Sequence, residues 1–68
     1  MKVSYKKLWK KMIDLEISKT ELRERTGIST VTLAKLGKDQ VVSMEVLMKI
    51  CKELGCNIDE ICDFVEVQ

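Results

Sequence analysis

The sequence predicts an all-α fold, five short helices around one compact core, with short strands at the two ends. Three observations carry this expectation. One local pattern recurs five times: an apolar residue, a capping residue, and a second apolar residue four positions after the cap. It starts from Val3, Ile17, Ile28, Val42 and Cys56, and it has the spacing of the hydrophobic staple that fixes how a chain enters a helix. Pro is absent and Gly numbers only three, whereas a sandwich or barrel needs turn residues throughout. Finally, 46% of the 68 residues are apolar, enough for one core in a single domain over residues 1–68, near the lower size limit for a stable fold.

Helix one is expected to begin at Ser4, stapled by Val3 and Leu8. Tyr5, Leu8, Trp9, Met12 and Ile13 recur at helical spacing as one apolar stripe, and Lys6, Lys7, Lys10 and Lys11 fill the other face. A basic amphipathic helix with a Trp has two readings, a membrane-surface helix or the first wall of a core. The core reading accounts for the stripe, with Trp9 as its largest filler. Lys6 and Lys7 fall in the first turn, where the helix dipole disfavours cations by about 0.3–1 kcal/mol, a hint that they serve something outside the helix.

Asp14 to Ile17 links helix one to a second helix capped by Ser18. Glu21, three residues on, completes a capping box, and Ile17 and Leu22 supply the staple. Helix two runs to about Arg25 and stops at Thr26-Gly27, since Gly27 can take the left-handed conformation. Ser29 caps helix three, stapled by Ile28 and Leu33, and Gly37 ends it. The loop that follows returns Val41 and Val42 to the core. Ser43 caps helix four, with Leu47, Ile50, Cys51 and Leu54 as its buried stripe and Gly55 as its terminator. Met44 and Met48 lie beside that stripe, as irregular core filler or as the border of a partner surface. Asn57 opens helix five with Glu60 as box partner, and Ile58, Ile61, Cys62 and Phe64 supply its apolar positions. Lys2-Val-Ser-Tyr and Phe64-Val-Glu-Val-Gln alternate apolar and polar. These ends form strands that pair with each other or across a dimer, with a frayed tail as the alternative.

Helices two and three, joined by a Gly-containing turn, make a helix-turn-helix, whose second helix commonly enters a DNA major groove. With Leu33 and Leu36 inward, the 100° step per residue puts Val31, Ala34, Lys35 and Lys38 on the opposite face. An apolar Val31 can meet a thymine methyl and Lys35 can donate to guanine O6 and N7. Thr30 and Thr32 flank that face near the helix N-terminus, where backbone N–H groups favour a phosphate.

Glu21, Leu22, Gly27, Ile28, Leu33 and Leu36 fall where the Cro and phage-repressor type helix-turn-helix, the XRE-like family, has its acidic, apolar and turn residues. The chain resembles that family over nearly its whole length, with one departure. Arg23 stands where the family commonly has Ala between the two helices, and its aliphatic stem can lie along the groove with the guanidinium in water. The resemblance implies a five-helix, lambda-repressor-like domain that reads double-stranded DNA as a repressor-like, sequence-specific transcriptional regulator. It also implies base contacts from Thr30, Val31 and Lys35. Lys19, Thr20, Ser29, Thr32 and Lys38 are expected on the DNA backbone, and a homodimer is expected on a repeated operator.

Charge is distributed to match. Residues 1–38 carry ten Lys or Arg against four carboxylates, a net +6, and residues 39–68 carry two against seven, a net −5. One end attracts phosphate and the other repels it. An enzyme is not expected: His is absent, and there is no Gly-rich phosphate loop or nucleophile elbow. Neither a cofactor nor a small-molecule ligand is called for. Cys51, Cys56 and Cys62 include no C-x-x-C pair, which argues against zinc, and they read as small core hydrophobes. No apolar run approaches a membrane span and the N-terminus lacks a signal-peptide core, so a cytoplasmic protein is expected. The rival to a DNA-binding regulator is an adaptor that keeps the fold and binds protein through helix three or the Met-lined face.

Overall fold

The first and last described segments of the chain meet. In the computed structural model, which describes residues 1–67, strand β1 (Lys2–Ser4) pairs antiparallel with strand β2 (Asp63–Val65). The register sets Lys2 opposite Val65, Val3 opposite Phe64 and Ser4 opposite Asp63. The terminal strands therefore pair within one chain. Between them run α1 (Lys6–Asp14), α2 (Lys19–Thr26), α3 (Thr30–Gly37), α4 (Met44–Leu54) and a single 3-10 turn (Ile58–Glu60).

Four α-helices, not five, are thus described, and the expected fifth is only that turn. Its box is present: Asn57 N–H donates to Glu60 Oε2 at 2.8 Å, and Ile58 N–H donates to Asn57 Oδ1 at 2.9 Å. The backbone then leaves the helical region at Ile61 (φ −122°), because Asp63–Val65 is recruited to the sheet. Phe64 and Val65, an aromatic and a β-branched residue, suit a strand better than a last helical turn. Phe64 accordingly lies exposed on β2 rather than on a helix.

Helix one also begins later than expected. Ser4 belongs to β1, and Tyr5 takes the cap position without making a side-chain cap bond. Ser4 Oγ accepts only a long contact, 3.4 Å, from the Lys6 N–H. Tyr5 is instead fixed by residues distant in sequence: its N–H donates to Asp39 Oδ1 at 3.1 Å and its hydroxyl to the Gln40 carbonyl at 2.8 Å. Its ring is buried together with Leu8 and Met12. The stripe of α1 is narrower than expected, for Trp9 is half-buried and Ile13 is exposed.

The other caps hold. Ser18, Ser29 and Ser43 each accept from the N–H three residues on, at 3.1, 3.1 and 3.2 Å. Gly27 and Gly55 close α2 and α4 in the left-handed region. Gly37 does not play this part, because α3 includes it and the left-handed residue is Asp39 (φ 54°). Around Asp39 the Gln40 N–H donates to the Lys35 carbonyl at 2.9 Å and the Asp39 N–H to that of Leu36 at 3.3 Å, a Schellman ending. Glu16 (φ 56°) closes α1 in the same way through Ile17 and Met12.

The core draws on every helix: Leu8 and Met12 of α1, Leu22 of α2, Leu36 of α3, Leu47, Ile50 and Leu54 of α4, with Tyr5, Ile28 and Ile61. Val42 packs partly against it while Val41 stays exposed, so only one of that pair returns to the core. Among the described residues no helix is long and apolar enough to cross a membrane.

Candidate nucleic-acid interface

Helix α3 is positioned by what it buries. Leu36 is fully buried and Leu33 partly so, anchoring one side of the helix. Thr30, Val31, Ala34, Lys35 and Lys38 are exposed, and Thr32 is half-buried. An exposed Val31, 64% accessible, satisfies no packing demand in the chain itself. The Schellman ending ties down the helix's last carbonyls, so that Lys35 and Lys38 project from a fixed end.

At the N-terminus of α3 the hydroxyls are already ordered. Ser29 Oγ accepts from the Thr32 N–H and donates to Thr32 Oγ1 at 3.0 Å. The Thr32 hydroxyl proton is not used in that pair. Ser29 acts first as a cap, and it can donate to a ligand only by releasing Thr32.

Helix α2 carries Lys19 and Thr20, both exposed, at its start. The capping box on Ser18 is complete, with Glu21 Oε1 accepting from the Ser18 N–H at 3.5 Å. Arg25 pairs with Glu21 one turn back on α2 at 3.4 Å and reaches Glu53 of α4 at 4.0 Å. The Thr26 hydroxyl donates back to the Leu22 carbonyl at 2.6 Å, which closes off the last turn before Gly27. Arg23, the residue that departs from the family pattern, is half-buried.

Two features of this region had no local signal in the sequence. The Lys19 ammonium sits 4.7 Å from the centre of the Trp9 ring, so that α1 supports the start of α2. The basic face of α1 is also partly engaged. Lys7 Nζ donates to the Asp59 carbonyl at 3.1 Å and lies 3.7 Å from Asp63, and Lys11 lies 3.4 Å from Glu60. These partners are about fifty residues away, beyond any spacing rule. The charge asymmetry is therefore partly neutralised across the seam between α1 and the C-terminal turn, while Lys6 and Lys10 remain exposed.

A second surface is apolar. Val41, Met44, Met48 and Phe64 are exposed, and a shallow groove of about 200 Å³ runs beside Val3, Val41, Met44, Leu47 and Phe64. The two methionines thus border a surface rather than filling the core.

The cysteines are all free and half-buried. Burial, followed by the neighbouring Cys56 thiol, pushes the Cys51 thiol up to about 11, and burial raises Cys62 as well. Such thiols stay protonated near neutral pH and are poor nucleophiles.

The family model for the Cro/C1-type HTH DNA-binding domain matches residues 7–66. Among solved structures, the crystal structure of the transcriptional regulator VanUg (Form II) is similar with a TM-score of 0.89 and 50% sequence identity. That likeness covers 91% of this chain and 83% of the other. No curated protein matches. The chain belongs to the Cro/C1-type helix-turn-helix DNA-binding domain family.

Proposed function

We propose that this chain is a cytoplasmic, repressor-like transcriptional regulator in which residues 1–68 form one domain that binds duplex DNA sequence-specifically, with α3 in the major groove. The observation that carries the reading is the exposed face of α3, a small apolar side chain and a cation one turn apart on a helix anchored by buried Leu36. In this reading Thr30, Val31 and Lys35 contact base edges. Lys19, Thr20, Ser29, Thr32 and Lys38 contact phosphates, which fixes the register of the helix on the duplex.

One recognition helix spans only a few base pairs, so the domain acts as a homodimer on half-sites spaced about 34–36 Å apart. The exposed Val41, Met44, Met48 and Phe64 favour the β2 and α4 side as the contact between copies. Met44→Asp and Phe64→Asp are expected to abolish self-association on DNA, and unchanged stoichiometry would move the interface elsewhere.

The decisive experiment is retention of the purified domain on genomic duplex fragments across a salt series. Affinity is expected to fall with salt, with a slope of roughly −0.9 per phosphate contact. A domain that ignores all fragments at low salt yet captures a protein through the Met44–Met48 face would establish the adaptor reading instead.

A further inference from the structure

Lys19 is the first residue of α2, and its ammonium lies 4.7 Å from the centre of the Trp9 ring on α1. Helix α2 itself gives a cation no reason to be there. The positive end of the helix dipole disfavours it. Glu21, the carboxylate of the first turn, is turned to the Ser18 cap and to Arg25. The indole supplies what the helix lacks, an electron-rich face within the roughly 6 Å over which cation–π attraction acts. The two partners are also unequal. Trp9 is half-buried and packed against the core, whereas Lys19 is exposed, so the ring is the fixed member and the ammonium the held one.

We propose that Trp9 is a positioning residue for DNA binding, its ring holding the Lys19 ammonium at the N-terminus of α2 ready for a backbone phosphate. This rests on the DNA-binding reading above. An ammonium has three N–H donors, and a ring on one side leaves the other side open. Ring and phosphate can therefore engage it together. The same phosphate would meet the N–H groups of Lys19 and Thr20, orphan donors of the first turn, because the capping box occupies those of Ser18 and Glu21. A lysine already resting on a ring loses less rotamer freedom on reaching a phosphate than a freely moving one.

The test is a double-mutant cycle on DNA affinity, measured over a salt series with Trp9→Leu, Trp9→Phe, Lys19→Ala and the Trp9→Leu/Lys19→Ala pair. Trp9→Leu is expected to weaken binding about two- to fivefold on all sequences, the value of one cation–π contact. Trp9→Phe, which keeps a π face, should stay within about twofold of the parent. Lys19→Ala should reduce the salt slope by about 0.9, and in its background Trp9→Leu should cost nothing further. Additive losses, or a Trp9→Leu variant that binds like the parent, would overturn the proposal alone. A parent that ignores duplex DNA would overturn it together with the reading beneath it. A measurement on the parent protein covers the case in which Trp9→Leu does not fold. The Lys19 ε-methylene protons should be shifted upfield by the ring in both the free and the DNA-bound protein. Their return to ordinary positions on adding DNA would show the ring to be a resting place that DNA empties, which also overturns the proposal.

Discussion

The Tyr5 hydroxyl donates to the backbone carbonyl of Gln40 at 2.8 Å, joining the entrance of α1 to the exit of α3 across 35 residues of sequence. The Tyr5 N–H does the same through Asp39 Oδ1. The end of the helix that carries Lys35 and Lys38 is thus fixed by a buried ring from the start of the chain. Tyr5→Phe keeps the ring and removes only the donor, leaving the Gln40 carbonyl without its partner. A loss of about 1 kcal/mol is expected in a denaturant titration. Tyr5→Ala also opens a cavity, and about 3–5 kcal/mol, as for other large aromatics, is enough to unfold a domain this small.

Glu16 and Asp39 hold the same left-handed backbone but should respond differently to glycine. For an L-residue that conformation costs roughly 1–2 kcal/mol, and glycine gives back part of the gain through its freer unfolded chain. Glu16 is exposed, so Glu16→Gly should stabilise the protein by about 0.5–1 kcal/mol. Asp39→Gly relieves the same strain but removes the acceptor of the Tyr5 N–H, and the two effects should cancel or leave a net loss. Thermal melts of the two variants side by side decide this. A gain at Asp39 as large as at Glu16 would mean that the latch to Tyr5 contributes nothing.

Glu60 should contribute to acid sensitivity. Its carboxyl is held below the ordinary range, first by the Asn57 N–H and then by Lys11. A depressed folded value means that the contribution is complete above the unfolded value, about 4.3, and is lost as pH falls through the lower folded one. Stability should therefore fall less steeply as pH drops below about 5 in Glu60→Gln than in the parent. Parallel curves would remove Glu60 from the acid transition.

The cysteines should act as packing groups. With Cys51 pushed up to about 11, its alkylation rate should still be rising well above pH 9, where an ordinary thiol has levelled off. Replacing Cys51, Cys56 and Cys62 together by Ala or Val should lower the melting temperature and leave DNA affinity indifferent to oxidant and chelator. Stoichiometric metal in the purified protein would contradict this.

What could be read from the sequence divides by range. Ser18, Ser29, Ser43 and Asn57 as caps, and Gly27 and Gly55 as stops, follow from residues within four positions of one another, and all six stand in the structure. Ser4 failed as a cap because its residue was claimed by a strand partner at Asp63, a pairing no local pattern contains. The fifth helix failed for the same reason at the other end of that pairing. Gly37 is not the stop that its residue type suggests: Asp39 does the turning, supported in the left-handed region by what its side chain meets, here Tyr5. On the candidate interface, the outward face of α3 was legible from the 100° step. The Trp9 support under Lys19 was not, because Trp9 read as the largest core filler and is instead half-buried with its ring under an ammonium.

The cations on and around α3 should divide into those that read bases and those that hold phosphates. Val31 and Lys35 are one turn apart on the exposed face away from Leu33 and Leu36, so a helix lying in the major groove would bring both to base edges. Lys19 stands at the start of α2, on the other helix of the pair, and Lys38 at the C-cap of α3, just past its last turn. A phosphate is the same at every step of a duplex, so Lys19→Ala and Lys38→Ala should weaken binding to all sequences about equally. Val31→Ala and Lys35→Ala should cost about 1–3 kcal/mol on the preferred site and little on others, because the contact they lose exists only where the right base is present. A binding selection on random duplexes with the four single variants measures both effects at once. Should Lys35→Ala keep the parental preference while Lys38→Ala alters it, the reading face lies on the other flank of α3, and Val31 owes its exposure to something other than DNA.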